Sequence, residues 1–488
     1  MQEQTTDITI TQIDTCTLNV QADEGILREL HEFYTFEVPG YQFMPSFQSG
    51  LWDGSIRVFN LWKRELPAGL LAKTLAWCKK NKYTATIEKD LLPTSIPVEE
   101  FDELYDDLNL PSDFTKEEHQ TKLIHKGLEL KRALLLGPTG SGKSLIIYAL
   151  SQITNREHGK KILIVVPTIN LVSQFPEEFK NYGYDKSVCK FSETKDIRSN
   201  ADIFVSTWHS VYKLPKKFFD QFGTIVFDEV HLATAKSVTT LMSKTSLVPY
   251  KFGLTATLQD AKCHALTLEG MFGPKVSSTT TKKLMDAGKL TPVKIIAVLL
   301  KHPDEICEQM KEASYQEEIE TIISSTQRNA FLIKFISKIP DNTLVLFRRI
   351  KHGKFLYESL KKYNAGKRNI YYIDGGISGE ERERIRQLME TEKDAILVAS
   401  FDTMSTGTNI KNLHNAVFVH PSKAKIRVLQ SIGRILRKLL GKMEAKVFDI
   451  ADNMMWKKHK NTTFEHFLFR LEAYNLEQHP VIFKEIKL

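Results

Sequence analysis

Short runs of apolar residues recur along most of this chain, separated by longer segments of mixed polarity. Between about residues 112 and 290 they occur at 133–136, 162–166, 203–206, 225–227 and 252–254. Between about residues 292 and 450 they occur at 343–347, 370–373, 395–399, 416–419 and 447–450. Buried strands that alternate with helices are typical of parallel sheets. The pattern therefore predicts an α/β fold with two tandem parallel-sheet lobes, at residues 112–290 and 291–452.

The segments outside these lobes follow other patterns. Residues 1–95 mix strand-like runs at 56–59 and 83–87 with a helical pattern near 69–82, which predicts a small α+β accessory domain. Residues 97–113 hold seven acids and no base, so we expect residues 96–111 to form a linker or an exposed helix. Residues 453–488 are rich in aromatic and basic side chains and predict a short helical segment.

Composition narrows the class of protein. The 488 residues are 42% hydrophobic and 26% charged, as in ordinary globular proteins. No window approaches the roughly 20 apolar residues of a membrane span, and the first residues do not resemble a signal peptide. The five cysteines are scattered, with no C-x-x-C pair. We therefore expect a cytoplasmic protein with reduced thiols, no zinc site and no membrane partner.

Basic charge is concentrated in two blocks. Residues 423–460 hold eleven Lys and Arg against three acids, and residues 57–82 hold seven bases and one acid. The net charge of the chain is +8, which equals the balance of residues 423–460, so the remainder of the chain sums to zero. Such blocks indicate contact with a polyanion, and a solvated helix face explains the charge equally well.

The clearest chemical signal is a Gly-x4-Gly-Lys-Ser loop that follows the first apolar run of the first lobe. Its glycines let backbone amides wrap around phosphates, its lysine adds a charge, and its serine can hold a magnesium ion. The predicted nucleotide-binding residues are Gly137, Pro138, Thr139, Gly140, Ser141, Gly142, Lys143 and Ser144.

Two carboxylates follow the apolar run at residues 224–227. Asp228 is the natural partner of Ser144 in holding magnesium, and Glu229 is placed to orient and deprotonate an attacking water. An isolated Asp-Glu pair would carry little weight. After a phosphate loop, the pair predicts hydrolysis of a nucleoside triphosphate.

The second lobe lacks a phosphate loop but supplies a basic helical face. Gln430, Arg434 and Arg437 recur at intervals of four and three, so they share one side of a helix. One phosphate loop for two lobes implies a nucleotide held in the cleft between them. Arg434 and Arg437 are then predicted to act as arginine fingers in catalysis, with a basic surface helix as the alternative.

Residues 114–452 resemble superfamily 2 helicases. The resemblance lies in the phosphate loop, the Asp-Glu-Val-His form at residues 228–231, and segments at 167–174, 206–209, 255–257 and 405–410. It implies RecA-like lobes that use ATP and Mg²⁺. It further implies that Gln120 senses adenine and Gly407 contacts the nucleotide, although Glu118 and His119 replace the residues usual before that glutamine. His231, Thr255 and Thr257 would couple hydrolysis to strand movement.

The same resemblance predicts the nucleic-acid contacts of the lobes. These are Thr168, Thr207, Trp208, Thr406, and Arg348 or its neighbour Arg349. Contacts of this kind read phosphate charge and spacing, so we expect binding that is independent of base sequence and sensitive to salt. For each threonine, a helix cap or turn is the competing interpretation.

The N-terminal segment is similar to the accessory domain of the UvsW helicases of T-even-type phages. The similarity lies in residues 41–54, 56–57 and 66–70, and extends to 221–223, 231–234, 315–319 and 411–414. It implies a helicase that remodels branched DNA (Holliday junctions, forks and R-loops) in recombination, replication and repair. It also implies 3′-to-5′ polarity, strand annealing and a location in the host cytoplasm.

Aromatic and basic residues of the accessory domain are its predicted DNA contacts. Trp52 and Trp62 could stack on unpaired bases or form a wedge at a branch point, beside Arg57, Lys63 and Arg64. The competing interpretation is that the aromatic residues of this region, Phe43, Phe47, Trp52 and Phe59, form the core of the small domain.

Alternative functions remain open at this point. The motor could act on RNA, or it could translocate on duplex DNA without separating the strands. A third alternative is a nonenzymatic annealing protein with a vestigial ATP site. The presence of Lys143, Asp228, Glu229 and Arg437 argues against it. We expect a monomer that binds single-stranded, duplex and branched DNA and RNA in R-loops, with recombination or single-strand-binding proteins as partners.

Overall fold

A computed structural model describes residues 6–38, 40–191, 199–256, 258, 265–405, 410–421 and 444–488. The chain forms two compact units. One contains residues 1–137 and 142–278, and the other contains residues 138–141 and 279–488. Within the described ranges, none of the helices has the length and apolar character needed to cross a membrane.

The accessory domain is a small α+β fold. Its strands are β1 (Ile8–Gln12), β2 (Thr17–Ala22), β3 (Thr35–Glu37), β4 (Ser55–Arg57), β5 (Glu65–Pro67) and β6 (Ala85–Ile87). Its helices are α1 (Glu24–Phe33), α2 (Pro45–Gln48) and α3 (Leu71–Asn81), with single 3-10 turns at Tyr41–Phe43, Ala68–Leu70 and Lys89–Leu91. Four strands form a sheet in the order β5-β2-β1-β6, and β3 pairs with β4 separately. Alternate residues such as Ile8, Ile10, Leu18 and Val20 are fully buried on one face of the sheet, as a half-buried sheet requires.

The first lobe is built on a seven-stranded sheet in which every pair of strands is parallel. Its strands are β7 (Arg132–Leu136), β8 (Lys161–Val166), β9 (Val188–Lys190), β10 (Ile203–Thr207), β11 (Phe222–Phe227), β12 (Tyr250–Thr255) and β13 (Lys275–Ser277). Its helices are α4 (Val98–Asp106), α5 (Glu118–Leu130), α6 (Lys143–His158), α7 (Ile169–Asn181), α8 (Trp208–Val211), α9 (Lys216–Phe219), α10 (Ala235–Met242) and α11 (Ala265–Phe272). The strand order is β13-β7-β12-β11-β8-β10-β9.

Successive residues of these strands enter separate hydrophobic clusters on opposite faces of the sheet. In β8, Ile162, Ile164 and Val166 belong to one cluster, whereas Leu163 and Val165 belong to the other. Helices cover both faces, so the strands are apolar throughout rather than alternating. This explains why uninterrupted apolar runs marked the strands in the sequence.

The second lobe repeats this architecture. Its strands are β14 (Val293–Lys301), β15 (Thr343–Phe347), β16 (Asn369–Ile373), β17 (Ala395–Ser400), β18 (Asn415–Phe418), β19 (Ala445–Asn453) and β20 (Val481–Lys487). Its helices are α12 (Thr281–Asp286), α13 (Asp304–Gln309), α14 (Tyr315–Ser324), α15 (Thr326–Ser337), α16 (Ile350–Tyr363), α17 (Gly379–Thr391), α18 (Phe401–Ser405) and a C-terminal helix (Thr462–Leu476). The parallel sheet has the order β16-β17-β15-β18-β19-β14-β20. The two tandem α/β lobes and the small N-terminal domain are thus confirmed.

The acidic stretch before the first lobe is part of that lobe. Its residues form α4, in which Phe101 and Tyr105 are 3% and 4% exposed and join the hydrophobic core. Their spacing of four residues places both on one face of the helix, while the acids occupy the other. The segment is therefore a packed amphipathic helix, which differs from the linker or exposed helix that charge alone indicated.

The C-terminal residues contain more than the predicted helix. Strand β20 pairs in parallel with β14 and extends the sheet of the second lobe. On the C-terminal helix, Arg470 donates two hydrogen bonds of 2.8 Å to the carboxylate of Asp449 in β19, and the Tyr474 hydroxyl donates a third of 2.7 Å. All three side chains are buried, so the helix is an integral layer of this lobe.

Candidate nucleotide and nucleic-acid sites

The strand order of the first lobe brings four predicted site segments to one edge of the sheet. Strands β7, β12, β11 and β8 are consecutive neighbours and run parallel. The phosphate loop follows β7, Thr255 ends β12, Asp228 follows β11, and Thr168 lies just beyond β8. In open parallel sheets, ligands bind at the carboxyl ends of the strands.

The phosphate loop depends on glycines with left-handed backbone. Gly140 has φ +84° and Gly142 has φ +80°, a region that other residues rarely adopt. Gly142 is the N-cap of α6, which begins at Lys143, so the helix N-terminus with its free amides opens onto the loop. The Gly137 amide donates to the carbonyl oxygen of Thr255 (3.0 Å), which ties the loop to the end of β12.

Gln120 lies directly against this loop. A Cβ atom added at Gly142 would fall 2.1 Å from Gln120 Nε2. Gln120 is 7% exposed on α5, so its amide is held in place by the surrounding structure. The predicted adenine-sensing residue and the phosphate loop are therefore neighbours in space, although the loop begins 17 positions after Gln120 in the sequence.

A chain of polar contacts links the phosphate-loop lysine to the end of β12. Lys143 Nζ lies 3.6 Å from Glu229 Oε1, and Glu229 Oε2 lies 3.2 Å from His231 Nδ1. The same nitrogen of His231 lies 2.7 Å from Thr255 Oγ1. His231 is 1% exposed, so its ring is fixed by packing as well as by these contacts.

The backbone at Glu229 is left-handed, with φ +47°. Such a conformation costs a non-glycine residue about 1–3 kcal/mol and persists only where the surroundings enforce it. Here it turns the carboxylate of Glu229 towards both Lys143 and His231. The strained backbone therefore orients a candidate catalytic carboxylate.

Among the described residues, the surroundings of Asp228 disfavour the charged form of its carboxylate. Burial, and after it the charge of Glu229, raises the pKa of Asp228 to about 7, although Lys143 acts in the opposite direction. Its backbone N–H donates to the carbonyl oxygen of Val165 (2.9 Å), and its carboxylate accepts only from the amide of Glu229 (3.0 Å) among the hydrogen bonds of the described residues. A bound cation would stabilise the charged form.

This environment fits a magnesium ion shared with a nucleotide. Asp228 and Ser144 offer the hard oxygen donors that Mg²⁺ prefers, and Mg²⁺ usually takes one or two protein ligands besides phosphates and water. In the described part of the chain, no group of three or more His, Cys, Asp or Glu side chains could hold a metal on its own. The residues therefore fit an ion that arrives with the nucleotide.

Several predicted site residues lie outside the described residues. These are Thr257, Thr406, Gly407, Gln430, Arg434 and Arg437. The described site is thus the nucleotide-binding half contributed by the first lobe.

The predicted nucleic-acid contacts of the first lobe differ in their availability. Thr168 is the N-cap of α7, and its buried hydroxyl has no hydrogen-bond partner among the residues that the structure describes. Thr207 caps α8, where its hydroxyl accepts from the amide of Ser210 (3.3 Å). The Trp208 ring is 5% exposed and belongs to the hydrophobic core, which leaves little of this side chain for the predicted contact with nucleic acid. An aromatic residue in a motif was, in this case, a packing residue.

In the second lobe, Arg348 follows the end of β15 and is exposed. Its neighbour Arg349 is the N-cap residue of α16 and donates to Gln316 Oε1 (2.6 Å). Arg348 does not make this contact, so of the two arginines it is the better candidate for binding a phosphate.

The structure separates the two tryptophans of the accessory domain. Trp52 is half-buried, and its Nε1 donates to the carbonyl oxygen of Ser55 (2.8 Å). Trp62 is 94% exposed, on the turn between Asn60 and Glu65, whose backbones bridge each other. Trp62 is thus the residue free to stack on a base, whereas Trp52 supports the local fold.

The turn that carries Trp62 is stiff and basic. The Lys63 amide donates to Asn60 Oδ1 (3.0 Å), and Arg64 has φ +56°. Lys63 and Arg64 are exposed beside Trp62, while Phe59 at the base of the turn is fully buried. Arg57 is also exposed but forms an ion pair with Asp53. Because Phe59 is fully buried, the interpretation of this residue as part of the domain core is confirmed.

Sequence patterns missed other exposed apolar residues on the same domain. Phe43 is 83% exposed and Leu51 is 85% exposed. The interpretation of Phe43 as a core residue is therefore wrong. Sequence reasoning also missed Tyr182, whose phenol is a hydrogen-bond partner of the Ser144 side chain.

Comparison with family models assigns most of the chain. Residues 7–88 match the model described as DNA helicase UvsW, N-terminal. Residues 113–260 match the res subunit of type III restriction enzymes, and residues 327–438 match the helicase conserved C-terminal domain.

Full-length relatives agree with these matches. The ATP-dependent DNA helicase uvsW of Enterobacteria phage T4 is 34% identical over 99% of this chain and 100% of the relative. The DNA 3′-5′ translocase XPB2 of Sulfurisphaera tokodaii is 25% identical over 72% of this chain and 85% of the relative. The crystal structure of T4 UvsW covers 99% of both chains with a TM-score of 0.53 and 32% identity.

Proposed function

Because this chain belongs to the UvsW family of ATP-dependent DNA helicases, we propose that it uses ATP hydrolysis to unwind and remodel branched DNA. The substrates of the proposal are Holliday junctions, forks and R-loops, in recombination, replication restart and repair. The observation that carries it is the continuous path from the phosphate-loop lysine through Glu229 and His231 to Thr255.

In the proposed reaction, the first lobe binds and cleaves the nucleotide. The amides at the start of α6 and the Lys143 ammonium hold the phosphates, and Gln120 contacts the adenine ring. Glu229 orients a water and accepts its proton as the water attacks the γ-phosphorus. The bond between that phosphorus and the β,γ-bridging oxygen breaks, which releases ADP and phosphate. Positioning and charge stabilisation are what phosphoryl transfer requires of a protein. The arginines at 434 and 437 and Gln430 would complete the charge stabilisation, as family resemblance implies.

Ser144 and Asp228 would hold the magnesium ion of the Mg–ATP complex. When bound, that ion neutralises charge on the phosphates. The raised pKa of Asp228 supports this assignment, because a divalent cation would favour the ionised carboxylate.

His231 and Thr255 are the proposed coupling residues. When the γ-phosphate leaves, the hydrogen-bond partners of Glu229 change, and His231 is the side chain that touches both Glu229 and Thr255. Thr255 would transmit that change towards the strand-binding surface. The buried setting of His231 supports a small set of discrete arrangements rather than a continuous motion.

The accessory domain would supply selectivity for branches. Trp62 could stack on an unpaired base at a junction while Lys63 and Arg64 contact backbone phosphates. Thr168 and Arg348 would contact the strand bound by the lobes. The protein would act as a monomer with 3′-to-5′ polarity, with RNA contacted in R-loops and recombination or single-strand-binding proteins as partners.

The direct test compares ATPase stimulation by single-stranded DNA, duplex, fork, four-way junction, R-loop and RNA. We expect the four-way junction and fork to stimulate most, and stimulation to decrease as salt increases. Stronger stimulation by RNA alone would favour an RNA helicase, and equal stimulation by plain duplex would favour a duplex translocase.

A pair of tryptophan variants tests the accessory-domain contact. Trp62→Ala should weaken binding to a four-way junction by about 1–3 kcal/mol, which corresponds to one lost base stack. Trp52→Phe is the matched control, since it keeps an aromatic ring and removes only the bond to Ser55. Unchanged junction affinity in Trp62→Ala would exclude this residue as the stacking surface.

A further inference from the structure

The turn between β1 and β2 of the accessory domain is inserted against the first lobe. Asp14 stiffens it, because one carboxylate oxygen accepts from the amides of Cys16 (2.6 Å) and Thr17 (3.0 Å). At its tip, the Thr15 amide donates to the carbonyl oxygen of Ser246 (3.2 Å), and the Thr15 hydroxyl lies 3.0 Å from the same oxygen. One residue of the turn therefore makes main-chain and side-chain contacts to the lobe.

Thr15 also satisfies two neighbouring cations of the lobe. Arg132 of β7 and Lys251 of β12 stand side by side in the register of the two strands. Lys251 is fully buried, and its Nζ donates to Thr15 Oγ1 (2.6 Å), the Thr15 carbonyl oxygen (3.4 Å) and the Val248 carbonyl oxygen. Arg132 donates to the same Thr15 carbonyl. Burial, and after it the charge of Arg132, lowers the pKa of Lys251 to about 7. Lys251 is buried and Arg132 is partly buried, so the acceptors that the turn supplies offset part of the cost of removing both groups from water.

A second contact requires a glycine. The backbone of Gly69 lies so close to α11 that an added Cβ would fall 2.1 Å from the Glu269 carbonyl oxygen and 2.6 Å from the Gly273 amide nitrogen. These are backbone atoms, which cannot move aside as a flexible side chain can. The accessory domain and the lobe thus fit together at a distance that only glycine permits.

An ion pair lies beside this close approach. Lys73 of α3 is 3.2 Å from Glu269 Oε2, and Lys275 of the lobe contacts the other carboxylate oxygen. Glu269 is 9% exposed, so the pair is partly shielded from water. The docking surface therefore combines an inserted turn, a backbone contact and a shared carboxylate.

We propose that Thr15 and Gly69 are positioning residues that hold the accessory domain on the first lobe as one rigid body. This role rests on the proposed function, because it would keep the Trp62 turn at a constant place relative to the nucleotide-binding lobe. The strands that receive Thr15 are those that end at the phosphate loop and at Thr255. The accessory domain that recognises the branch would then be anchored on the same two strands that respond to ATP.

The test uses the full chain with Gly69→Ala and a matched control, Gly25→Ala. Gly25 lies in α1 of the same domain, and an added Cβ there would meet no heavy atom within 4 Å. Hydrogen exchange without DNA should be about tenfold or more faster in Gly69→Ala at residues 13–17 and 265–273, since local opening exposes those amides. Gly25→Ala should exchange as the unmodified protein does.

The functional measurement is the ratio of ATPase stimulation by a four-way junction to that by single-stranded DNA. In Gly69→Ala this ratio should fall about fivefold or more, the usual scale of coupling between two sites, while single-strand stimulation stays within about twofold. Thr15→Val provides a second variant if Gly69→Ala does not fold, because it keeps the side-chain shape and removes the hydroxyl bonds.

The outcomes separate the two ideas. If the unmodified protein shows no preference for junctions, the branched-DNA function fails, and the positioning role fails with it. If the preference is present and Gly69→Ala changes neither exchange nor ratio, the positioning role alone is overturned. The same holds if exchange increases while the ratio is unchanged, since docking would then be irrelevant to branch selection.

Discussion

The two seven-stranded sheets place an aspartate at comparable strand ends in opposite electrostatic states. In the first lobe, burial and the charge of Glu229 raise the pKa of Asp228 to about 7. In the second lobe, burial alone would also raise the pKa of Asp452. The charge of Arg328 and a hydrogen bond from His302 outweigh that effect and lower it to about 2.

The difference lies in whether the protein supplies the counter-charge. Arg328 donates to both oxygens of Asp452, at 2.7 and 2.9 Å, and to the Val419 carbonyl oxygen at 2.8 Å. His302 Nε2 lies 3.0 Å from the same carboxylate. Within the part of the chain that the structure describes, no such ion pair is formed by Asp228, and Lys143 lies against Glu229 instead. A strand-end carboxylate that is already neutralised supports the fold, whereas one left without a cation is available to a ligand.

Removing the ammonium group of Lys143 in the first lobe should have the largest effect on ATPase activity. Lys143→Ala is expected to lower ATP turnover about 100-fold or more, because a charge aimed at the phosphates is lost. DNA binding and the melting temperature should change little. Lys160→Ala, an exposed lysine of the same lobe, is the control. Unfolding of Lys143→Ala would instead indicate that the loop is structural.

Removing the guanidinium group of Arg328 in the second lobe should lower the free energy of unfolding. Arg328→Met leaves Asp452 charged and buried, which costs about 3–5 kcal/mol in the free energy of unfolding. The double variant with Asp452→Leu should recover much of that loss, because no unpaired charge remains. Chemical denaturation measures both. Equal stability of the single and double variants would show that the pair is not what holds this region.

Acid should weaken the second lobe through its buried histidines. Burial is the main cause that lowers the pKa of His352 to about 3 and of His420 to about 4. In the unfolded chain both are near about 6.5, so the unfolded state binds more protons between about pH 4 and 6.5. The free energy of unfolding should therefore fall as pH is lowered through this window, by at most about 1.4 kcal/mol per pH unit for each histidine.

The measurement is a set of denaturation curves at pH 6.5, 5.5 and 4.5, compared between the unmodified protein and His352→Asn. The variant should show a smaller dependence on pH. Identical slopes would mean that His352 is not the group that titrates.

The coupling residue should give the smallest effect on basal turnover. His231→Ala is expected to reduce DNA stimulation of ATPase about fivefold, the lower range of coupling between sites, and to leave DNA-independent hydrolysis close to normal. Thr255→Val should behave similarly, since it removes the other end of the same contact. Loss of DNA-independent hydrolysis to the same degree would place His231 in catalysis rather than in coupling.

Much of the fold followed from apolar runs, because strands covered on both faces are apolar at every position. Strands β14 and β20 were not among the strands predicted from apolar runs. Val293–Lys301 contains an uninterrupted apolar run at 295–300, so the same rule could have found it. Val481–Lys487 carries charged residues on an edge strand, which hides it from that rule. The burial of α4 was hidden by its acids, whose charge obscured the spacing of Phe101 and Tyr105.

The candidate site was predictable only where a local motif encodes it. The phosphate loop and Asp228-Glu229 are contiguous, so spacing was sufficient. The Arg328–Asp452 pair and the contacts of Thr15 with Lys251 join residues more than 100 positions apart, and no local pattern marks them. Exposure separated Trp62 from Trp52 and Trp208, and exposure is a property of the folded chain.

The most direct test substitutes the two aspartates in parallel, Asp228→Asn and Asp452→Asn, and measures unfolding free energy and DNA-stimulated ATPase for each. Asp228→Asn should retain or gain stability, because a buried charge beside Glu229 is removed, and should lose turnover about 100-fold or more. Asp452→Asn should lose about 3–5 kcal/mol, because Arg328 remains buried without its partner. If Asp228→Asn instead destabilises the fold and retains its ATPase, the account is contradicted.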